Sequence, residues 1–133
     1  MKTSDYKNLD IWVKAMHLAQ MIYSLTNNYP DEEKYGLVSQ MRRCAISIPS
    51  NIAEGHARNT SKEFIHFLRI TLGSNAELET QAILSFRLNL INQTTLDQIL
   101  TETKHLSKMT ISLINYLNNK NANNNNNNNN NSN

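Results

Sequence analysis

Little in this 133-residue chain can build tight β-turns, because it holds only three glycines and two prolines. Leu, Ile, Ala, Met, Gln, Lys and Glu supply good helix formers instead, so an all-α fold is expected. A single cysteine, Cys44, excludes an intrachain disulfide and points to a reducing compartment. No apolar run approaches membrane-spanning length. The charged start at Lys2, Asp5 and Lys7 also lacks the apolar core of a secretory signal. A cytoplasmic location with no membrane partner is the expectation. Thirteen basic residues stand against eleven acidic ones, a formal charge of +2, too weak to mark a nucleic-acid binder by itself. Such a role must rest on a local patch.

What the chain does have is apolar periodicity. Leu9, Trp12, Met16, Ala19 and Tyr23 recur at helical spacing behind Asn8, an available cap. A second row, Ile11, Ala15, Leu18, Ile22 and Leu25, lies ~100° around the same helix. The combined sector is wider than one bundle core requires, which points to burial against another subunit. Asn27-Asn28-Tyr29-Pro30 ends this helix, and Asp31-Glu32-Glu33 suits the start of the next. The second helix follows Leu37, Met41, Ala45, Ile48 and Ile52, with Pro49 kinking it and Gly55 placed as its C-terminal cap.

Thr60 with Glu63 forms a capping box for the third helix, whose seam runs Phe64, Leu68, Thr71, Asn75, Leu78 and Ala82. Thr95 with Gln98 repeats that arrangement for the fourth, with Leu96, Leu100, Thr103, Leu106, Thr110, Leu113 and Leu117 inward. From Asn118 the chain dissolves into Asn repeats, too polar to offset the entropy of ordering. The expected organisation is a flexible lead over residues 1–8, an up-and-down antiparallel four-helix bundle over 9–118, and a disordered poly-Asn tail over 119–133.

Two Glu-x-x-His steps, Glu63 to His66 and Glu102 to His105, match the spacing that di-iron and di-manganese bundles use. His66 lies two residues from the seam residue Phe64, hence ~200° around the helix, and His105 is displaced likewise from Thr103. Asp10, at the very start of the first helix, is a poor substitute for a mid-helix Glu. Solvated faces explain both steps better than a di-metal carboxylate oxidase does. Cys44 has no general base nearby in sequence and reads as a small buried thiol. No phosphate loop, nucleophile elbow or zinc knuckle occurs. Neither a reaction, a cofactor, a metal nor a small-molecule substrate is expected.

The third helix carries Ile70, Gly73 and Leu84 on the side away from its seam, which a lone monomer does not need. Arg43, Ser47, Ser50, Glu54, Ile70, Gly73 and Glu77 mix small residues with Arg and carboxylates, as a subunit interface does. The cations available for phosphate are Arg42, Arg58, Lys62, Arg69 and Arg87, with Lys104 and Lys108 on the fourth helix.

The chain resembles a known family through Leu9-x-Ile11-Trp12, Gln40-x-Arg42-Arg43, Ser47-x-Pro49-x-Asn51-Ile52-Ala53-Glu54-Gly55, Glu63-Phe64-x-x-Phe67-Leu68 and Gly73-Ser74-x-x-Glu77-Leu78-Glu79-Thr80-Gln81. That family is the four-helix-bundle group encoded within intervening sequences of bacterial 23S ribosomal RNA genes, related to the accessory variability proteins of diversity-generating retroelements. The resemblance spans about Leu9 to Leu117. It implies a ring-shaped homopentamer without enzymatic activity. For the retroelement branch it implies a basic surface that engages a reverse transcriptase and nucleic acid, and the charge of +2 departs from that branch. The expected role is a homo-oligomeric scaffold associated with RNA. A protein-interaction adaptor without nucleic-acid affinity is the alternative.

Overall fold

A computed structural model describes residues 5–130, and among them the chain is helical with no strand. Its helices are α1 (Asp10–Thr26), α2 (Leu37–Ala57), α3 (Ser61–Arg87) and α4 (Gln93–Asn130). Side-chain pairs running in opposite directions along α2 and α3 make that pair antiparallel. Gly55 lies by Phe64 and Phe67, Ser47 by Ser74, Cys44 by Glu77, and Met41 by Ser85. The links are short because residues outside the usual helical region turn the chain at once. Asn59 (φ 64°) between α2 and α3, and Asn89 (φ 61°) between α3 and α4, take the left-handed conformation that Asn tolerates. The fold is an all-α four-helix bundle.

The inward face of α1 is the second of its two apolar rows: Ile11, Ala15, Leu18 and Ile22 are buried, while Met16 and Tyr23 of the first stay exposed. Met41, Ala45, Ile48 and Ile52 of α2 complete that half of the core without measurable exposure. In α3 the seam positions Leu68, Thr71, Asn75, Leu78 and Ala82 are all buried. So are Leu96, Thr103, Leu106, Thr110 and Leu117 in α4. Most polar members of this layer bond to backbone, although the Thr71 hydroxyl and the Asn75 side-chain oxygen are buried without a protein partner among the described residues. Asn75 Nδ2 donates across the seam to the Thr103 carbonyl (2.8 Å) and to Ser107 Oγ (2.7 Å), and Thr110 Oγ1 donates to the Leu106 carbonyl (2.7 Å).

Several boundaries differ from the periodicity. Leu9, not Asn8, is the N-cap of α1, and part of the expected lead, Tyr6–Asn8, forms a 3-10 turn capped by Asp5. Asp31–Glu33 form a separate 3-10 turn, so α2 starts only at Leu37. Pro49 lies inside α2, which continues to Ala57. An internal proline costs ~3 kcal/mol, and full burial of Ile48 and Ile52 on either side returns about 2 kcal/mol each, enough to keep the helix continuous.

Gly55 is not a cap. A Cβ there would stand 2.6 Å from the Phe67 Cβ, so this glycine lets α2 and α3 approach, and Arg58 takes the C-cap position. Thr60 does cap α3, accepting from the Glu63 N–H (3.2 Å), whereas α4 is capped one turn earlier than Thr95 suggests. Asn92 Oδ1 accepts from the Thr95 N–H (2.8 Å). Helix α4 runs past Leu117, its last core residue, to Asn130. The side chains of residues 118–129 are exposed apart from a half-buried Asn121. Extending an existing helix avoids the cost of a new nucleus and adds one backbone bond per residue. Residues 1–4 of the lead and 131–133 of the tail fall outside the described residues.

Candidate subunit and nucleic-acid surfaces

The seven residues expected at a subunit contact lie along the outer edge of the α2–α3 seam, and the structure divides them. Ser47 and Glu77 are engaged within the chain. Ser47 Oγ shares a 2.9 Å hydrogen bond with Ser74 Oγ, and Glu77 Oε2 accepts from the Cys44 thiol at 3.3 Å. Gln81 Nε2 donates to the same sulfur (3.4 Å), and Asn51 Nδ2 donates to the Ser47 carbonyl (2.8 Å). Burial, and then the hydrogen bond to Glu77, push the Cys44 thiol above its ordinary pKa, which makes it a poor nucleophile. Glu54 is exposed and paired with Arg58 at 3.0 Å. Arg43 and Ser50 are exposed, as is Ile70, and space is open around Gly73, where an added Cβ would meet nothing within 4 Å.

Apolar surface is left uncovered on two separate stripes. Between α1 and α2, a groove of about 360 Å³ is lined by Trp12, Met16 and Ala19 on one side and by Ile46, Pro49 and Ala53 on the other. Tyr6 closes its end, its ring edge-on to Trp12 at 5.5 Å. Sequence reasoning found the α1 side as surplus apolar width but missed Ile46, although Ile46, Pro49 and Ala53 share one helical stripe. The second stripe is Ile70, Gly73 and Leu84 on the outward side of α3, where Ile70 and Leu84 are 39% and 44% exposed.

The seven candidate phosphate contacts do not form one surface. Arg42 turns inward, donating through Nε to Thr26 Oγ1 (3.0 Å) and through Nη2 to Asn27 Oδ1 (2.9 Å). Its guanidinium lies 4.5 Å from the Tyr23 ring centre. It ties α2 to the end of α1. Arg58, Lys62 and Arg69 line one cleft of about 620 Å³ at the corner where α2 passes into α3, together with Glu63, Ile65, His66 and Phe67. Arg87 lies 18 residues, five turns, beyond Arg69 on the same helix face, ~27 Å away. Lys104 and Lys108 are exposed on α4 and are not among the residues lining that cleft.

The two Glu-x-x-His steps do not converge. Glu63 caps through Thr60 and His66 is exposed, whereas Glu102 is bound to Lys14 of α1 at 2.7 Å and His105 is exposed. Among the described residues no three His, Cys, Asp or Glu side chains gather where a metal ion would fit. The Lys14–Glu102 pair spans the sparsest helix contact of the bundle, over a groove of about 810 Å³ between α1 and α4. Sequence offered no signal for it, because the partners are 88 residues apart. No helix of the described residues is long and apolar enough to cross a membrane.

Comparison with known proteins finds a family and several solved structures that the chain resembles. The family described as 23S rRNA-intervening sequence protein matches residues 7–112. A solved structure from Bacteroides thetaiotaomicron, described as a protein of unknown function from the S23 ribosomal protein family, superposes with a TM-score of 0.71. It is 25% identical, and the match covers 78% of this chain and 97% of that one. Among curated proteins none matches.

Proposed function

Because the chain belongs to the 23S rRNA-intervening sequence protein family, we propose that it acts as a non-catalytic scaffold of several identical copies, five to a ring, associated with RNA. One observation carries the self-association: two uncovered apolar stripes on different helices. The groove walled by Met16 and Ile46 and the α3 stripe of Ile70 and Leu84 are different surfaces, so a contact between them is head-to-tail, the kind that closes rings. Open space around Gly73 suits the close approach of a neighbouring backbone. The non-catalytic reading is supported by the two Glu-x-x-His steps lying apart and by a Cys44 thiol held above its ordinary pKa. The cleft holding Arg58, Lys62 and Arg69 supports the association with RNA, since phosphate binding needs cations gathered on one surface.

Light scattering on the full chain tests the assembly. The expected mass is near five times 15.2 kDa, and Ile46→Glu should reduce it towards one copy. A wild-type mass of one copy at high protein concentration overturns the scaffold. Titration of a labelled RNA at two salt concentrations tests the second part. Binding that weakens steeply with salt is expected, and absence of binding leaves a protein-interaction adaptor.

A further inference from the structure

We infer that the cleft at the α2–α3 corner is a single-stranded RNA site, in which Lys62 and Arg69 hold phosphates and the Arg58 guanidinium offers a flat face to an unstacked base. This rests on the RNA association proposed above and gives it a place and a ligand form. Arg58 is held in position before any ligand arrives. Its guanidinium carbon lies 5.2 Å from the centre of the Phe67 ring, and its Nη2 donates to Glu54 Oε1 at 3.0 Å. The ring and the carboxylate restrict the guanidinium from two sides, while the Arg58 side chain stays 48% exposed and so within reach of a base. Arginine planes and aromatic rings are what proteins use to hold splayed RNA bases.

The phosphate positions follow from helix geometry. Lys62, His66 and Arg69 are spaced four and three apart on one stripe of α3, with about 10 Å of rise from first to last. Lys62 and Arg69 form no ion pair among the described residues, so neither charge is already neutralised. Of the carboxylates nearby, Glu54 is paired with Arg58, which leaves Glu63, bonded to the Thr60 hydroxyl at 3.1 Å, as the one acidic charge against Lys62 and Arg69 among the described residues of the cleft lining. The cleft also lies at the amino end of a 27-residue helix, whose field favours anions. The Phe67 ring is half-buried and packs beside Gly55 of α2, so the stacking platform is backed by both helices.

The test is fluorescence anisotropy of a labelled oligouridylate with the full chain. Lys62→Gln with Arg69→Gln should weaken binding and flatten the salt dependence of log K by about 1.4, as expected when two phosphate contacts to a single strand are lost. Arg58→Lys keeps the charge and removes the plane, so it should lose affinity by about fivefold or more at an unchanged salt slope. Lys104→Gln with Lys108→Gln, on α4, should lose less than the cleft pair. Thermal melts of the variants should match wild type, since all five side chains are exposed. No wild-type binding at low salt overturns both the RNA association and the site. Wild-type binding that the cleft variants leave unchanged, or that the α4 variant weakens as much, overturns the site alone. Equal affinity for the same strand in a duplex overturns the single-strand assignment.

Discussion

The same substitution at two glycines should have opposite effects on stability. In a helix interior, Gly→Ala is worth ~1 kcal/mol of stabilisation from backbone entropy. At Gly55 the new Cβ would sit 2.6 Å from Phe67 Cβ and 3.1 Å from Phe64 Cδ1. Carbon atoms rest ~3.5–4.0 Å apart. A Cβ is bonded directly to its backbone, so no rotamer change relieves the clash, and α2 and α3 must separate by about 1 Å. Overpacking of this kind costs about 1–3 kcal/mol, and a rigid neighbour places the cost at the upper end. Gly55→Ala should therefore lose a net 1–2 kcal/mol or so, a fall in melting midpoint of roughly 4–8 °C. At Gly73 the Cβ meets nothing within 4 Å, and a single copy should gain the full helix term, about 1 kcal/mol. Far-UV circular dichroism in urea and heat, at one fixed protein concentration because assembly itself shifts midpoints, reads both. A Gly55→Ala protein as stable as wild type would refute the close approach of α2 and α3.

Other outcomes follow from the same contacts. Gly73→Leu should break up the assembly, and an unchanged particle mass by light scattering would move the subunit contact elsewhere. Asn75→Ala removes two cross-seam hydrogen bonds and leaves a small cavity, for a loss of about 2–3 kcal/mol in urea unfolding; a loss under 0.5 kcal/mol would contradict its role. A double-mutant cycle on Lys14 and Glu102 should give a coupling of about 0.5–1 kcal/mol that shrinks with salt, because the pair is partly exposed. Cys44 has its pKa raised on folding, mainly by burial and then by its bond to Glu77, so its contribution to stability holds below the ordinary thiol value of 9.0 and fades as pH rises past it. The urea midpoint should fall above that pH by more in wild type than in Cys44→Ala, and parallel curves would refute this.

Much of the bundle was legible because α3 and α4 each carry one continuous row at four-and-three spacing, and the outward apolar residues of α3 are too few to compete with it. Leu68, Thr71, Asn75 and Leu78 could face inward in one way only. On α1, two apolar rows competed, and periodicity alone could not say that Ile11 to Ile22 faces the core while Met16 and Tyr23 face out. Caps were ambiguous where candidates crowd together, as Asn92 and Thr95 do. Gly55 looks like a helix end in sequence, and only Phe67, from the next helix, explains it. The cation set was too broad for a related reason: residue type finds positive charge, but Arg42 is satisfied by Thr26 and Asn27 of another element, which no local pattern reveals.

Helix α4, at 38 residues, outlasts the bundle that supports it. Beyond Leu117 none of the side chains of residues 118–129 is fully buried, and each Asn disfavours the helix by roughly half a kcal/mol relative to Ala. Amide protons along this projection should therefore trade with deuterium in a gradient, fast at the tip and slow by Leu106. The molecule thus melts from one end inward, with the tip opening and closing many times before the folded body comes apart once.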